Sequence, residues 1–159
     1  MKKVLFIAST GGHLTELLIL KDMFNKYDYH IVTEKTKDNL ILKNKYNKHI
    51  SFLIPGTYTN KSAKIIYPFK LLLNTIKSLI IYIKINPKYI ISTGAHTAGP
   101  MCLIGHLLGS KIIFIETFAN TNTKSKTGNI VYKFADLFIV QWESMLDLYP
   151  NAIYGGWIF

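Results

Sequence analysis

Two glycine-rich stretches of this chain hold residue types that could handle an anion or a proton. The first, "STGGHLTE", spans residues 9–16 and follows an apolar run; the second, "STGAHTAGP", spans 92–100 and follows another. Gly11 and Gly12 let the backbone turn tightly and approach a ligand closely. A helix starting near His13 would aim free N–H groups and the positive end of its dipole into that turn, a setting that suits phosphate. The spacing fits neither a P-loop nor a dinucleotide fingerprint, so a plain strand-to-helix turn stays open as the alternative. An imidazole ordinarily titrates near neutrality, which makes His13 a candidate base toward a hydroxyl; a helix cap is its other reading. Glu16, one turn on, either orients His13 or favours the helix start.

In the second stretch, Gly94, Thr97 and Gly99 place backbone donors at the same edge, where a diphosphate could bridge the two turns. His96 is either a substrate contact or an exposed loop histidine. Glu116 ends the run 111–115 and either faces the cleft or caps the next turn. The polar segment after it, "TFANTNTKSKTGN", carries Lys124 and Lys126 and no acid. It reads as a mobile loop closing over an anionic ligand or as a solvated surface loop. No H-x-x-x-H helix, cysteine pair or carboxylate cluster is present, so no metal and no cofactor is expected. A G-x-S-x-G nucleophile elbow is absent as well.

These turns need elements to position them. Strands are expected at 3–9, 29–34, 49–54, 89–93, 111–116 and 137–141, mostly as continuous apolar runs that suit parallel strands covered on both faces. Helices are expected at 13–26, 37–46, 63–85, 97–108 and 125–134, with a short one after Trp142. The alternation predicts an α/β fold with a doubly wound, mainly parallel, Rossmann-like sheet, and the 159 residues predict a single domain over 1–159. In such sheets ligands lie beyond the carboxyl ends of the strands, which brings the loops 9–13, 94–99 and 116–127 to one edge.

Composition narrows the partners. The net charge is +10, and all 19 basic residues are lysine. Without arginine's bidentate fork a nucleic-acid partner is disfavoured; a basic, apolar chain better suits an anionic membrane surface. Cys102 is the only cysteine, so no intramolecular disulfide can form, which fits a reducing compartment. The start, "MKKVLFIASTGGH", has an apolar stretch of about five residues, short of the ~7–15 of a signal peptide, and reads as a first strand.

Residues 61–90 contain six lysines and no acid. Lys70, Lys77 and Lys84 recur every seven residues with Asn74 on the same stripe, and the other faces are almost wholly apolar. The lysines interrupt the run too often for a ~20-residue span. The expected arrangement is a helix lying in the membrane interface with these three lysines at anionic headgroups; a core helix with a solvated lysine stripe is the alternative.

"STGGHLTELL", "STGAHTAGP", "IIFIETFANTNTKSKTGNIVYKFADLFIVQWESM" and "IYGGWIF" together resemble a family. They are similar to the bacterial capsular and exopolysaccharide relatives of the membrane-anchor subunit of the two-chain N-acetylglucosaminyltransferase of asparagine-linked glycosylation. A more distant similarity is to the N-terminal half of the peptidoglycan GlcNAc transferase that acts on a lipid diphosphate. The resemblance covers nearly the whole chain and implies the N-terminal half of a GT-B glycosyltransferase. That half would hold a lipid-diphosphate-linked acceptor and touch the membrane peripherally at its cytoplasmic face. A separate protein would supply the C-terminal half with the UDP-sugar, and the chain's end at Phe159 fits that division. By the same resemblance Gly11, Gly12 and His13 form the first acceptor loop, with His13 as general base or diphosphate ligand, and Gly94, His96 and Thr97 line the second. Glu116 matches the family's E-[ST]-F glutamate and is expected, with His13, to be catalytic, and Trp157, Ile158 and Phe159 would help dock the partner. Two departures stand out. Eukaryotic relatives usually begin with a membrane-spanning segment, and their arginine after E-S-F has no equivalent here, where Asn120 occupies the region. Donor sugar, acceptor glycan and linkage stay open, and the rival to an enzyme subunit is a non-catalytic scaffold that recruits a transferase to the membrane.

Overall fold

A computed structural model describes residues 1–56 and 61–158. Seven strands form one sheet: β1 (Lys3–Ala8), β2 (Asp28–Glu34), β3 (Ile50–Leu53), β4 (Tyr89–Gly94), β5 (Lys111–Ile115), β6 (Leu137–Val140) and β7 (Ile153–Tyr154). Every pairing is parallel, in the order β3-β2-β1-β4-β5-β6-β7. The intervening helices are α1 (Gly12–Ile19), α2 (Ile41–Tyr46), α3 (Lys61–Ile85), α4 (Ala98–Leu107) and α5 (Lys126–Val131). This is the doubly wound, Rossmann-like arrangement that continuous apolar strands predict. In β1 the side chains of Val4, Phe6 and Ala8 join Leu14 and Leu17 of α1 in one core, while Leu5 and Ile7 join Met101 and Cys102 of α4 in the other. An apolar residue at every position is what a strand covered on both faces requires.

Several boundaries differ from the expected ones. The helix expected over 13–26 is α only to Ile19 and then tightens to 3₁₀ over Leu20–Lys26, which carries Phe24 into the core beneath Phe6. α5 stops at Val131 rather than 134, and its start is set by Ser125, whose hydroxyl accepts from the Gly128 N–H. β7, two residues long, pairs with β6 after a 3₁₀ turn over Glu143–Leu146.

The largest difference concerns α3. Of the alternative, a core helix with a solvated lysine stripe, the exposed Lys77 and Lys84 match the stripe, while the rest of the helix does not read as core, because α3 buries polar residues and exposes apolar ones. Asn74 is 1% exposed and Ser78 0%, with Tyr82 one turn further along the same face. Ile66, Phe69, Leu72, Leu73, Ile76, Leu79, Ile80 and Ile83 lie in the open, Phe69 at 68%. The cause is a demand from the sheet. Ile54, just past β3, has an N–H and a carbonyl facing the helix, and the Asn74 amide meets both at 2.8 Å. Tyr82 does similar work at the other end, donating to the Leu108 carbonyl at 3.2 Å and lying 2.9 Å from the Ser110 hydroxyl. Buried backbone groups without partners cost about 1–3 kcal/mol each, enough to decide which face turns inward. Asn74 is therefore buried at the inner margin of the stripe it shares with the lysines. Lys77 and Lys84 stay exposed, and half-buried Lys70 reaches the Pro55 carbonyl at 3.4 Å.

Candidate functional site

The carboxyl ends of β1 and β4 lie side by side. Ile7 pairs with Ser92, the register then shifts, and Ala8 pairs with Gly94. The shift joins the two glycine loops directly. The Ser9 N–H donates to the Gly94 carbonyl at 2.8 Å, and the Ala95 N–H donates to the Ser9 hydroxyl at 3.1 Å. That hydroxyl is 2.5 Å from the hydroxyl of Thr97, the residue that opens α4. Gly94 has φ +100°, and a Cβ there would stand 3.1 Å from His13 Nδ1, so both backbone and space call for glycine.

His13 sits in the first turn of α1. Its Nδ1 is 2.8 Å from the Thr93 carbonyl, and the Thr93 hydroxyl donates to the His13 carbonyl at 2.6 Å. A carbonyl only accepts, so Nδ1 carries the hydrogen. The neutral ring then holds its lone pair on Nε2, and about a quarter of the side chain is exposed. Glu16 Oε2 lies 3.8 Å from the ring nitrogen and has no hydrogen-bond partner among the described residues. Glu16 Oε1 is occupied: it accepts from the Thr117 hydroxyl at 2.8 Å and the Phe118 N–H at 3.1 Å. One glutamate thus stands 3.8 Å from the imidazole and ties α1 to the end of β5, while the ring itself is held by Thr93. A positive charge formed on the ring would find a carboxylate already in place.

Neither α1 nor α4 has a side-chain cap bond at its N-terminus, but the Ala98 N–H of α4 donates to the Ala95 carbonyl at 3.0 Å and Pro100 has no N–H, so among the described residues α4 offers only the Gly99 N–H to another acceptor, and α1 those of Gly12 and His13. Gly11 and Gly12 lie exposed at the first of these termini, and half-buried His96 and buried Thr97 at the second. Ser9 and Thr97 join the two helix starts at one edge of the sheet.

Glu116 is placed differently. It is 1% exposed, and its carboxylate accepts from the Thr117 N–H (3.1 Å), the Ser125 hydroxyl (3.0 Å) and the Tyr149 hydroxyl (2.9 Å). Burial first, and the neighbouring carboxylate second, push the Tyr149 phenol well above its ordinary value, so it stays protonated as the donor. Of the two sequence readings, the structure matches the one in which Glu116 anchors the following turn. No hydrogen bond or ion pair joins it to His13 among the described residues. The segment after it is fastened as well. Trp142 Nε1 donates to the Phe118 carbonyl at 2.8 Å, the Ser144 hydroxyl bonds the Thr121 carbonyl, and Lys124 lies over the Tyr149 ring.

At the neighbouring edge Phe118, Trp142 and Trp157 form an aromatic cluster, with Trp157 at 71% exposure. The Ile158 N–H donates to Gln141 Oε1 at 3.2 Å, and Phe159 lies outside the described residues. Cys102 is buried in the core, and burial pushes its thiol up to about 12, which makes it inert. Among the described residues no group of three or more His, Cys, Asp and Glu is arranged to hold a metal.

Sequence reasoning missed Thr93, the acceptor that fixes the His13 tautomer, and Glu34, which is fully buried at the end of β2. Glu34 carries the same signal as Glu116, an acid closing an apolar strand, and could have been found by it.

The family model described as "Oligosaccharide biosynthesis protein Alg14 like" matches residues 4–158. The human protein named UDP-N-acetylglucosamine transferase subunit ALG14 is 27% identical over 175 residues, covering 96% of this chain and 81% of its own length. Among solved structures, MurG of Acinetobacter baumannii superposes with a TM-score of 0.69 at 22% identity, over 88% of this chain and 41% of its own. The UDP-GlcNAc 2-epimerase of Methanocaldococcus jannaschii, in complex with UDP-GlcNAc and UDP, gives 0.72 at 14% identity, over 96% and 45%. This chain spans less than half of either solved chain, and at these identities both speak to the fold, which is that of their Rossmann-like halves. With the family match running from the first strand to the penultimate residue, the chain belongs to the Alg14-like oligosaccharide biosynthesis proteins.

Proposed function

We propose that this chain is the acceptor-binding subunit of a two-protein glycosyltransferase, moving a sugar from a UDP-sugar to a lipid-diphosphate-linked glycan. The observation that carries the reading is His13: its Nδ1 is committed to Thr93, its Nε2 lone pair is available, and it stands in the first turn of α1 beside the Gly94 loop. The human relative's name, a transferase subunit, supports the division of labour. The acceptor diphosphate would lie across the first turns of α1 and α4, at Gly11, Gly12, Gly94, His96 and Thr97. Nε2 of His13 takes the proton from the acceptor hydroxyl as that oxygen bonds to the anomeric carbon. The bond from that carbon to UDP breaks, UDP leaves with the electron pair, and Glu16 steadies the imidazolium. Glu116 serves as a positioning residue for the Thr117–Phe118 turn that holds Glu16. The UDP-sugar site belongs to the partner, which Trp157 and Ile158 would help to dock.

The apolar face of α3 supports contact with the cytoplasmic face of the cell membrane. Contrary to the expectation that the lysines interrupt it too often, the run Ile66–Ile85 is long and apolar enough to cross a bilayer, yet the opposite face of the helix is bonded to the sheet through Asn74 and Tyr82. Lying in the interface, α3 would set Lys70, Lys77 and Lys84 at anionic headgroups. A surface polysaccharide, capsule or exopolysaccharide, is the product we propose, on the motif combination quoted above. A non-catalytic scaffold is the second reading, favoured by the same exposed face of α3.

The test is sugar transfer from labelled UDP-sugars to a lipid-linked acceptor in membranes, with this chain, a candidate partner, and both. Transfer that needs both supports the split enzyme. Full transfer by the partner alone supports the scaffold, and transfer by this chain alone overturns the half-enzyme reading.

A further inference from the structure

Glu34 is a carboxylate that the proposed chemistry does not use. It closes β2 at 0% exposure. Its two oxygens accept from backbone N–H groups on two separate loops. Oε2 receives the Thr10 N–H at 3.3 Å, and Oε1 receives the Gly56 N–H at 3.1 Å. Asn39 fixes the arrangement from below, its amide donating to the Glu34 carbonyl at 2.9 Å and to the Thr10 hydroxyl at 3.2 Å. Burying a carboxylate is costly, and among the described residues these two backbone donors offset part of that cost.

What the carboxylate holds explains its place. Thr10 directly precedes the Gly11–Gly12–His13 turn. Gly56 is packed on the second loop: a Cβ there would stand 2.6 Å from His96 Nε2 and 3.2 Å from Thr97 Cγ2. Ser9 and Thr97 close the circuit between the loops. Glu34, Thr10, Ser9 and Thr97 thus form a chain of hydrogen-bonded and adjacent residues whose far end lies against Gly56, and Glu34 is the member bonded at both ends of it.

We infer that Glu34 is a positioning residue that sets the spacing between the two glycine loops, and with it the fit of a diphosphate-bearing acceptor. The inference rests on the acceptor-subunit reading above. In Glu34→Gln the amide nitrogen must face one of the two backbone donors, so one loop is released while side-chain volume is kept. Gly56→Ala reaches the same spacing from the other side, by pushing on the His96 ring, and leaves Glu34 intact.

The experiment is steady-state transfer by the complex of this chain with its partner, varying lipid-diphosphate acceptor and UDP-sugar separately, with rates normalised to folded complex. Both variants are expected to raise the acceptor KM about tenfold while the UDP-sugar KM stays within about twofold. A purely structural role predicts less folded complex and unchanged constants per folded molecule, and that result overturns the inference. If the wild-type complex does not transfer to a lipid diphosphate, the acceptor-subunit reading has failed. The spacing role is then judged by NMR of the His13 and His96 imidazole lines in the full chain. Movement of both lines in Glu34→Gln supports it; stationary lines overturn it.

Discussion

α1 and α3 use their polar residues in opposite ways. α1 buries Leu14 and Leu17 and sends His13 and Glu16 to the edge of the sheet. α3 buries Asn74 and Ser78 and sends its leucines and isoleucines outward. The first helix follows the ordinary rule for a domain surrounded by water. The second breaks it on both sides, because the sheet edge at Ile54 needs polar partners and the outer face of the helix is suited to something other than water. Which face of a helix turns inward is thus decided by what lies on each side of it, and hydrophobicity is only one of the terms.

The contrast can be broken at four points. The largest effect is expected at the polar tip of α1. His13→Ala should lower kcat per folded complex by about 10²–10⁴-fold, with partner binding retained and the melting temperature lowered by about 2–4 °C as the Thr93 carbonyl loses its donor. A loss confined to acceptor KM would instead make His13 a diphosphate ligand, and unchanged turnover would remove it from the site.

The next effect concerns the ground beneath α3. His30 on β2 has a pKa lowered to about 4, through burial first, then His49 and Lys84 on the end of α3, against the opposing effect of Asp28. The ring is held neutral by the fold, 2.8 Å from the Ser51 hydroxyl, while the unfolded chain protonates near 6.5. Its contribution is therefore fully present above pH 6.5 and is lost as pH falls from there toward 4, about 3 kcal/mol in all. Urea unfolding at pH 7 and 4.5 should show this slope in the wild type and a flatter one in His30→Gln.

A third substitution restores the ordinary pattern on α3. Asn74→Leu makes the helix more uniformly apolar, yet it should destabilise by ~2 kcal/mol, because Ile54 loses partners for both its N–H and its carbonyl. A stabilised variant in the same urea assay would show that burial, not backbone bonding, orients α3. The smallest effect lies on its flank. Lys77→Gln and Lys84→Gln should each weaken binding to vesicles containing anionic lipid by ~1 kcal/mol, with little effect on neutral vesicles.

Much of this was legible before any coordinates. β1 and β5 show as nearly unbroken apolar runs and β4 as the run 89–91 before a polar end, and the glycine turns after β1 and β4 predict a shared edge from topology alone. The length of α3 and its lysine period are equally plain. Its buried face is not, because periodicity ranks faces by hydrophobicity and carries no record of the unfilled groups at Ile54. Glu116 shows the same limit: an acid after an apolar strand looks catalytic, and only the convergence of Ser125 and Tyr149 on its carboxylate turns it into an anchor. β7 is two residues long and leaves no pattern to read.

The two attachments of α3 have a mechanical consequence. Asn74 and Tyr82 act as keys in fixed slots, eight residues apart along a rod that advances about 100° per residue. Insertion of one residue between them would put the keys out of phase, so that one must leave its slot. The rod cannot roll, and its outward direction is a property of the domain, set before α3 meets any surface.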